Sequence, residues 1–274
     1  MDYQTIVVRK EDGIGFLTLN RPEVLNAINR SLMAEVTHAM DGFAADPEIA
    51  AVVVNGAGRA FSAGFDMKES ATRQTTEIDQ WQQVLRADFD FIMQFFDCPK
   101  PTIAAVHGYC LAGAFELALA CDVTVAAQST RFGEPEARFG SGIICLLLPW
   151  VAGPKAAKEL LLTGDDKVSA ERALALGVVN HVVPDGSELE RAVAIAQDIR
   201  AAAPRSVQLT KRALNRTLEA MGLRTALLTG LDYDVLIEAG AGPERNEFNR
   251  LRREEGLKAA IAWRDARFRK AADE

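Results

Sequence analysis

Short apolar runs of strand length, each followed by a longer stretch with helical periodicity, recur along the first two thirds of the chain and restrict it to an α/β architecture. Residues 14–20 (IGFLTLN) favour a strand: they follow the Asp12-Gly13 turn and end at Arg21-Pro22. From Asn29, the apolar positions Leu32, Met33, Val36, Met40 and Phe43 share one helical face, which Asp46-Pro47 closes. The same order returns as a run at 51–55, a helical stretch at 81–96, runs at 102–106 and 122–127, and a helix after Gly113. Continuous apolar runs, unlike alternating ones, predict strands covered on both faces. No exact repeat is present, but strand-turn-helix units spaced roughly fifty residues apart suit a coiled stack of similar layers.

Beyond about residue 187 the strand signals stop. Helical patterns occupy 189–202, 206–221, 223–238 and 254–270, with Pro204 separating the first two. Leu227, Leu228, Leu231, Val235 and Leu236 carry more apolar surface than a thin layer needs, which predicts packing against another subunit. The stretch from Glu244 to Lys270 is locally basic, as a solvated face or an aid to binding an anionic ligand.

At 274 residues and 49% hydrophobic, the chain can bury one sizeable core with a smaller appendage. A net charge of −7 argues against a nucleic-acid partner, whose phosphates need basic surface. Cys98, Cys110, Cys121 and Cys145 form no CxxC pair and have no histidines at ligand spacing, so neither a metal site nor a redox motif is expected. The N-terminus lacks a basic segment leading into an apolar one, and no run of about 18 apolar residues occurs. A cytoplasmic protein with no membrane partner is expected.

Two separated stretches carry the chemistry: AFSAGFD (60–66) and GYCLAGAFELALACD (108–122). Gly113 stands where a helix should begin, and a helix N-terminus offers unpaired N–H groups and the positive end of a dipole. Glu116 lies one turn further on the same face. A carboxylate beside donors for negative charge points to proton transfer next to a developing oxyanion. Glu136, in FGEPEARFG, is the natural second acid.

The segments LNRPEVLNAI, VVVNGAGRAFSAGFD, PTIAAVHGYCLAGAFELALACDV, FGEPE, LLTGDDKVSAERALALGVVNHVV and REEGLKAAIAWRDARF resemble, in order and spacing, the enoyl-CoA hydratase/isomerase (crotonase) family. The resemblance implies a spiral of ββα layers over residues 1–200 with the acyl-CoA site, and a C-terminal α-helical trimerisation region over 201–274. It implies a homotrimer or a homohexamer of two trimers. It places the thioester oxygen of an acyl-CoA against the N–H groups of Phe65 and Gly113. It makes Glu116 and Glu136 the catalytic pair of a hydratase, since isomerases of the family keep only the second. The CoA moiety is expected along Val24, Leu25, Ala63 and Asp66, mostly through backbone groups, with Lys68 and Arg59 toward phosphates. Coenzyme A enters as part of the substrate, and no metal or redox cofactor is implied.

One segment departs from the family's pattern. GSGIICLLLPW follows FGEPE where hydratases carry a glycine-rich stretch that helps position water. Its bulkier side chains narrow the pocket, exclude the water or reshape the acyl site. The acyl pocket is expected to be lined by 81–96 and 143–150, all apolar, fitting an aliphatic or aromatic chain. Phe115 is expected to pack under its helix, and His107 and Cys145 to be structural. Ser62 lacks the nucleophile-elbow pattern, and NGAGRAFSAG lacks GxGxxG, so hydrolase and dinucleotide-binding readings gain little. Other crotonase chemistry (isomerase, dehydratase, decarboxylase) and a non-catalytic acyl-CoA-binding oligomer stay open.

Overall fold

The computed structural model describes residues 2–71 and 77–270. In chain order the elements are β1 (Ile6–Glu11), β2 (Ile14–Leu19), α1 (Arg30–Ala45), β3 (Ala51–Gly56), α2 (Met67–Ala71), α3 (Ile78–Asp97), β4 (Thr102–Val106), β5 (Tyr109–Leu111), α4 (Gly113–Ala120), β6 (Val123–Ala127) and β7 (Arg131–Gly133). They continue with α5 (Leu148–Val151), α6 (Gly153–Thr163), β8 (Val168–Ser169), α7 (Ala170–Ala175) and β9 (His181–Val183). Helices follow: α8 (Glu188–Ala201), α9 (Pro204–Ala220), α10 (Leu223–Gly240), α11 (Pro243–Glu254) and α12 (Leu257–Lys270). No helix among the described residues is long and apolar enough to cross a membrane.

Six strands form one sheet in the order β1-β2-β3-β4-β6-β9, and three form a second in the order β5-β7-β8. Among the described residues, only the β1–β2 and β7–β8 pairs are antiparallel. Successive turns of chain place one strand in each sheet, β4 with β5 and then β6 with β7, so equivalent loops stack in register. The continuous apolar runs have a direct explanation. Val52, Val54, Ala104 and Val106 join the main core, while Val53, Ile103, Ala105 and Val125 pack under α8 with Ala192 and Ala196. With both faces covered, alternation has no reason to appear.

Asn29 caps α1, its side chain accepting from the Leu32 N–H at 2.9 Å. The apolar residues of α10 behave differently from expectation. Leu227, Leu231 and Val235 are buried within the chain, in the core that α3 also lines, rather than offered to a partner. Of the five residues expected outside, Leu236 is the exposed one, and Tyr233 and Ile237 join it on that side. The reason is the spacing: α10 is apolar around most of its circumference, so its sequence alone does not say which side turns inward.

Candidate active site

The small sheet delivers the site. Ser62 bridges Cys110, and Cys110 pairs with Phe132, all in parallel. Three residues beyond the first two positions stand Phe65 and Gly113, and four beyond the last stands Glu136. Adjacent strands run about 4.8 Å apart, a separation from which two N–H groups can reach one acceptor.

Hydrogen bonds around Phe65 fix the direction of its amide. The Ile28 N–H donates to Gly64 O at 2.9 Å and the Asp66 N–H donates to Ile28 O at 2.8 Å. In such a parallel bridge the N–H of the intervening Phe65 turns to the opposite side, where the β5 strand and Gly113 lie. The Gly113 N–H heads α4, where helix geometry supplies no acceptor. Neither glycine tolerates a side chain. A Cβ on Gly113 would overlap the Phe65 ring, and one on Gly64, at φ +85°, would lie 2.7 Å from Ala112 Cβ and 3.3 Å from Gly113 N. Ala112 itself holds φ 56° and ψ −137°, a costly conformation for a residue with a side chain, directly before the helix.

Four acids meet behind these amides. Glu116, in the first turn of α4, is 2% exposed; its Oε1 accepts the Cys145 N–H at 2.9 Å and its Oε2 has no hydrogen-bond partner. The departing GSGIIC segment therefore still supplies a backbone donor to the first glutamate. Glu134 and Glu136 flank Pro135 at the end of β7, each with a buried oxygen lacking a hydrogen bond. Asp234, from α10, is 2% exposed with both carboxyl oxygens lacking one. Burial pushes Glu116 well above the usual carboxylate range, the Glu136 charge adding to it against the Cys145 N–H. Burial raises Glu134 well above it too, reinforced by Glu136 and Glu116. Burial lifts Glu136 to about 7, with its own N–H and Glu134 opposing. Burial, then the charges of Glu238 and Glu136, lift Asp234 to about 8.

Glu136 is stapled from the outside. It opens a short 3-10 turn, Glu136–Phe139, whose Phe139 ring stacks on Phe248 of α11 at 4.8 Å. Asp166 links Arg138 of that turn, at 3.1 Å, to Arg264 of α12, at 3.0 Å.

The residues expected along CoA lie together beside the amides. Leu25 and Asn26 adopt left-handed backbone, and the fully buried Asn26 side chain donates to the carbonyls of Ala57 and Ala60, both at 2.8 Å. The backbone contacts expected there are partly taken up within the protein. The Ala63 N–H donates to Leu25 O at 3.0 Å, and the Val24 and Leu25 N–H groups donate to Arg21 O and Pro22 O. Asp66 pairs with Arg21 at 3.0 Å and accepts the Lys68 N–H at 2.9 Å. Burial opposes ionisation of Asp66, but Arg21 and those N–H groups outweigh it and depress its pKa. The side chains of Lys68 and Arg59 are exposed.

His107 and Cys145 are both held by contacts within the fold. A His107 ring nitrogen lies 3.0 Å from Gly58 O, and the buried Cys145 Sγ lies 3.5 Å from Met93 Sδ with its thiol pKa raised by burial. Phe115 packs against Phe132, ring centroids 5.4 Å apart. The expectation of an all-apolar lining over 81–96 fails at Asp88 of α3, which is 4% exposed and paired with Arg30 at 2.6 Å. Asp234 of α10, outside the stretches expected to line the pocket, is buried as well. The missed signal was an acid at core spacing, Asp234 between Leu231 and Val235 and Asp88 beside Phe89.

The family profile described as Enoyl-CoA hydratase/isomerase matches residues 9–235. The chain is similar to a crystal structure of an enoyl-CoA hydratase/isomerase from Xanthobacter autotrophicus Py2, 49% identical at a TM-score of 0.95, covering 97% of this chain and 98% of that one. It is 37% identical over 246 residues to a probable enoyl-CoA hydratase of Mycobacterium bovis, covering 85% of this chain and 88% of the relative. A short-chain-enoyl-CoA hydratase of Clostridium acetobutylicum is 33% identical over 225 residues, covering 80% and 84%. The chain belongs to the enoyl-CoA hydratase/isomerase family, has its crotonase-type α/β fold with a C-terminal helical region, and is an enzyme of this hydro-lyase kind.

Proposed function

We propose that the chain hydrates a trans-2-enoyl-CoA thioester, with Glu116 and Glu136 as the acid-base pair and the Phe65 and Gly113 amides as the oxyanion hole. The observation that supports this most is the pairing of two buried carboxyl groups, each with an oxygen free of hydrogen bonds, behind two adjacent main-chain donors. As water attacks the β carbon, one carboxylate takes its proton and the electron pair moves onto the thioester oxygen. The amides stabilise that charge, and the other carboxyl group then protonates the α carbon. Crowding of buried acids keeps a proton within the cluster near neutral pH, so ionised and neutral forms coexist. The reaction calls for no metal or redox cofactor, and the CoA portion would run along Val24, Leu25, Ala63, Asp66 and Lys68.

The exposed Tyr233, Leu236 and Ile237 of α10 and Leu209, Leu214 and Met221 near α9 support self-association of the helical region as a trimer or a pair of trimers. A spectrophotometric screen of unsaturated acyl-CoA thioesters, following the conjugated absorbance, tests the reaction. Glu116→Gln and Glu136→Gln should each lower hydration by about 10²–10⁴-fold. Retained double-bond migration in Glu116→Gln would assign an isomerase instead, and no change in any thioester with the unaltered enzyme would reject catalysis.

A further inference from the structure

The reaction needs two acids, yet the site holds more. Glu116 and Glu136 each keep an oxygen without a hydrogen bond, as the hydration proposed above would require. Glu134 neighbours Glu136, and the two carboxyls influence one another's protonation. Glu238 is satisfied by Ser141 Oγ and Arg245, and Asp88 by Arg30. Asp234 alone among these is fully buried with both oxygens lacking a hydrogen bond and with no task in the hydration itself. A buried carboxyl group left without hydrogen bonds is destabilising, and such a group in a native fold calls for an explanation.

Its place suggests one. Asp234 Oδ1 occupies the volume that a side chain on Gly142 would fill, so the carboxyl lies directly over the GSGIIC segment. One end of that segment binds Glu116 through the Cys145 N–H, and at the other the Ser141 N–H donates to Glu136 O at 3.0 Å. Gly230, one turn earlier on α10, faces Leu146, where an added Cβ would lie 2.9 Å from that side chain. The face of α10 that carries Gly230, Asp234 and Glu238 therefore covers the stretch in which this chain departs from the glycine-rich pattern. The charged groups near enough to act on Asp234 are Glu238 and Arg245 from the C-terminal helices, Glu116 and Glu136, and Asp88 from α3. Four of these five are acids, which favours a neutral carboxyl group at neutral pH.

We propose that Asp234 is a specificity residue that donates a hydrogen bond to an oxygen on the acyl chain, so that the preferred substrate is an enoyl-CoA thioester bearing a hydroxyl or carbonyl group beyond the double bond. This rests on the hydratase reading. A neutral acid in a water-poor wall is a strong donor, and a site built to bind a polar group discriminates sharply against an analogue without it, because the buried partner is then left unpaired. Isoleucines at 143 and 144 suit the apolar carbons beside that oxygen.

The test compares chain-length-matched trans-2-enoyl-CoA thioesters with and without a hydroxyl group on a carbon beyond the double bond. The unaltered enzyme should prefer the hydroxylated member by about tenfold or more in kcat/KM. Asp234→Asn, which keeps a donor, should retain most of that ratio, whereas Asp234→Leu should bring it to about one. The same ratio, read as Kd for the matched saturated acyl-CoA pair by calorimetry, decides the matter should no thioester be turned over, so failure of the activity and failure of the proposal are distinguishable. Equal treatment of the two thioesters by the unaltered enzyme overturns the proposal, as does a preference that survives in Asp234→Leu. A preference for an ammonium-bearing chain that both substitutions abolish overturns it too, because charge rather than donation would then be read. Melting temperatures of both variants show whether each is folded, and the ratio in the unaltered enzyme stands without them.

Discussion

At the scale of single residues, the site depends on positions where a methyl group is too much. Gly113→Ala would drive a Cβ into the Phe65 ring, and the ring belongs to the residue whose amide forms the other half of the proposed oxyanion hole. Displacing one such donor costs about 10²–10³-fold in kcat. Steady-state kinetics of Gly113→Ala should show that loss mainly in kcat, and kinetics indistinguishable from the unaltered enzyme would remove these amides from the mechanism. Gly113 and Glu116 were legible because a glycine before an apolar helix and an acid three residues later carry their meaning locally. Asp234 was not. Its neighbours Leu231 and Val235 read as a simple apolar face, and only the three-dimensional approach of α10 to Gly142 gives the acid a role.

Elements long enough to show a period were readable, and those that were not escaped. The runs behind β3, β4 and β6 and the capped α1 follow from pattern alone. Strand β1 did not, because five of its six residues are at least partly exposed and its charged end obscures the pattern. The strands β5, β7, β8 and β9 span two or three residues each, too few for any periodicity. Helix α11 fell between the expected helical stretches at 223–238 and 254–270, and Gly256, at φ +92°, separates it from α12. The elements that converge on the site also set its response to pH. Glu136 and Asp234 titrate near 7 and 8 when folded, against about 4 when unfolded. Their contribution to stability is complete below about pH 4 and is lost as pH rises through 7 and 8. Glu35 and Asp66, whose folded pKa values are depressed, act oppositely and withdraw stability on acidification below about pH 4. Calorimetric melting temperatures should therefore peak at about pH 5 and decline toward pH 8, and Asp234→Asn should flatten that decline. An unchanged slope in the variant would show that Asp234 is already ionised.

For the whole molecule, composition and charge bounded the class while the family resemblance supplied the layered fold. Which side of α10 turns inward was decided by packing on α3. The exposed face that remains predicts an assembly effect. Leu236→Asp combined with Ile237→Asp, at residues 58% and 45% exposed, should lower the oligomeric mass measured by analytical ultracentrifugation while leaving far-ultraviolet circular dichroism intact. An unchanged mass would place subunit contacts elsewhere. The long-range ties from the C-terminal helices carry a consequence for biosynthesis. Arg252 donates to Met67 O and Ser70 Oγ at 2.9 Å, bracing α2 just after the first amide loop, and Phe248 and Arg264 brace the turn that bears Glu136. Glu116 and Glu136 precede these helices in the chain, so a polypeptide stopped ahead of Pro243 would hold the proposed acid-base pair without the helices that brace its loops.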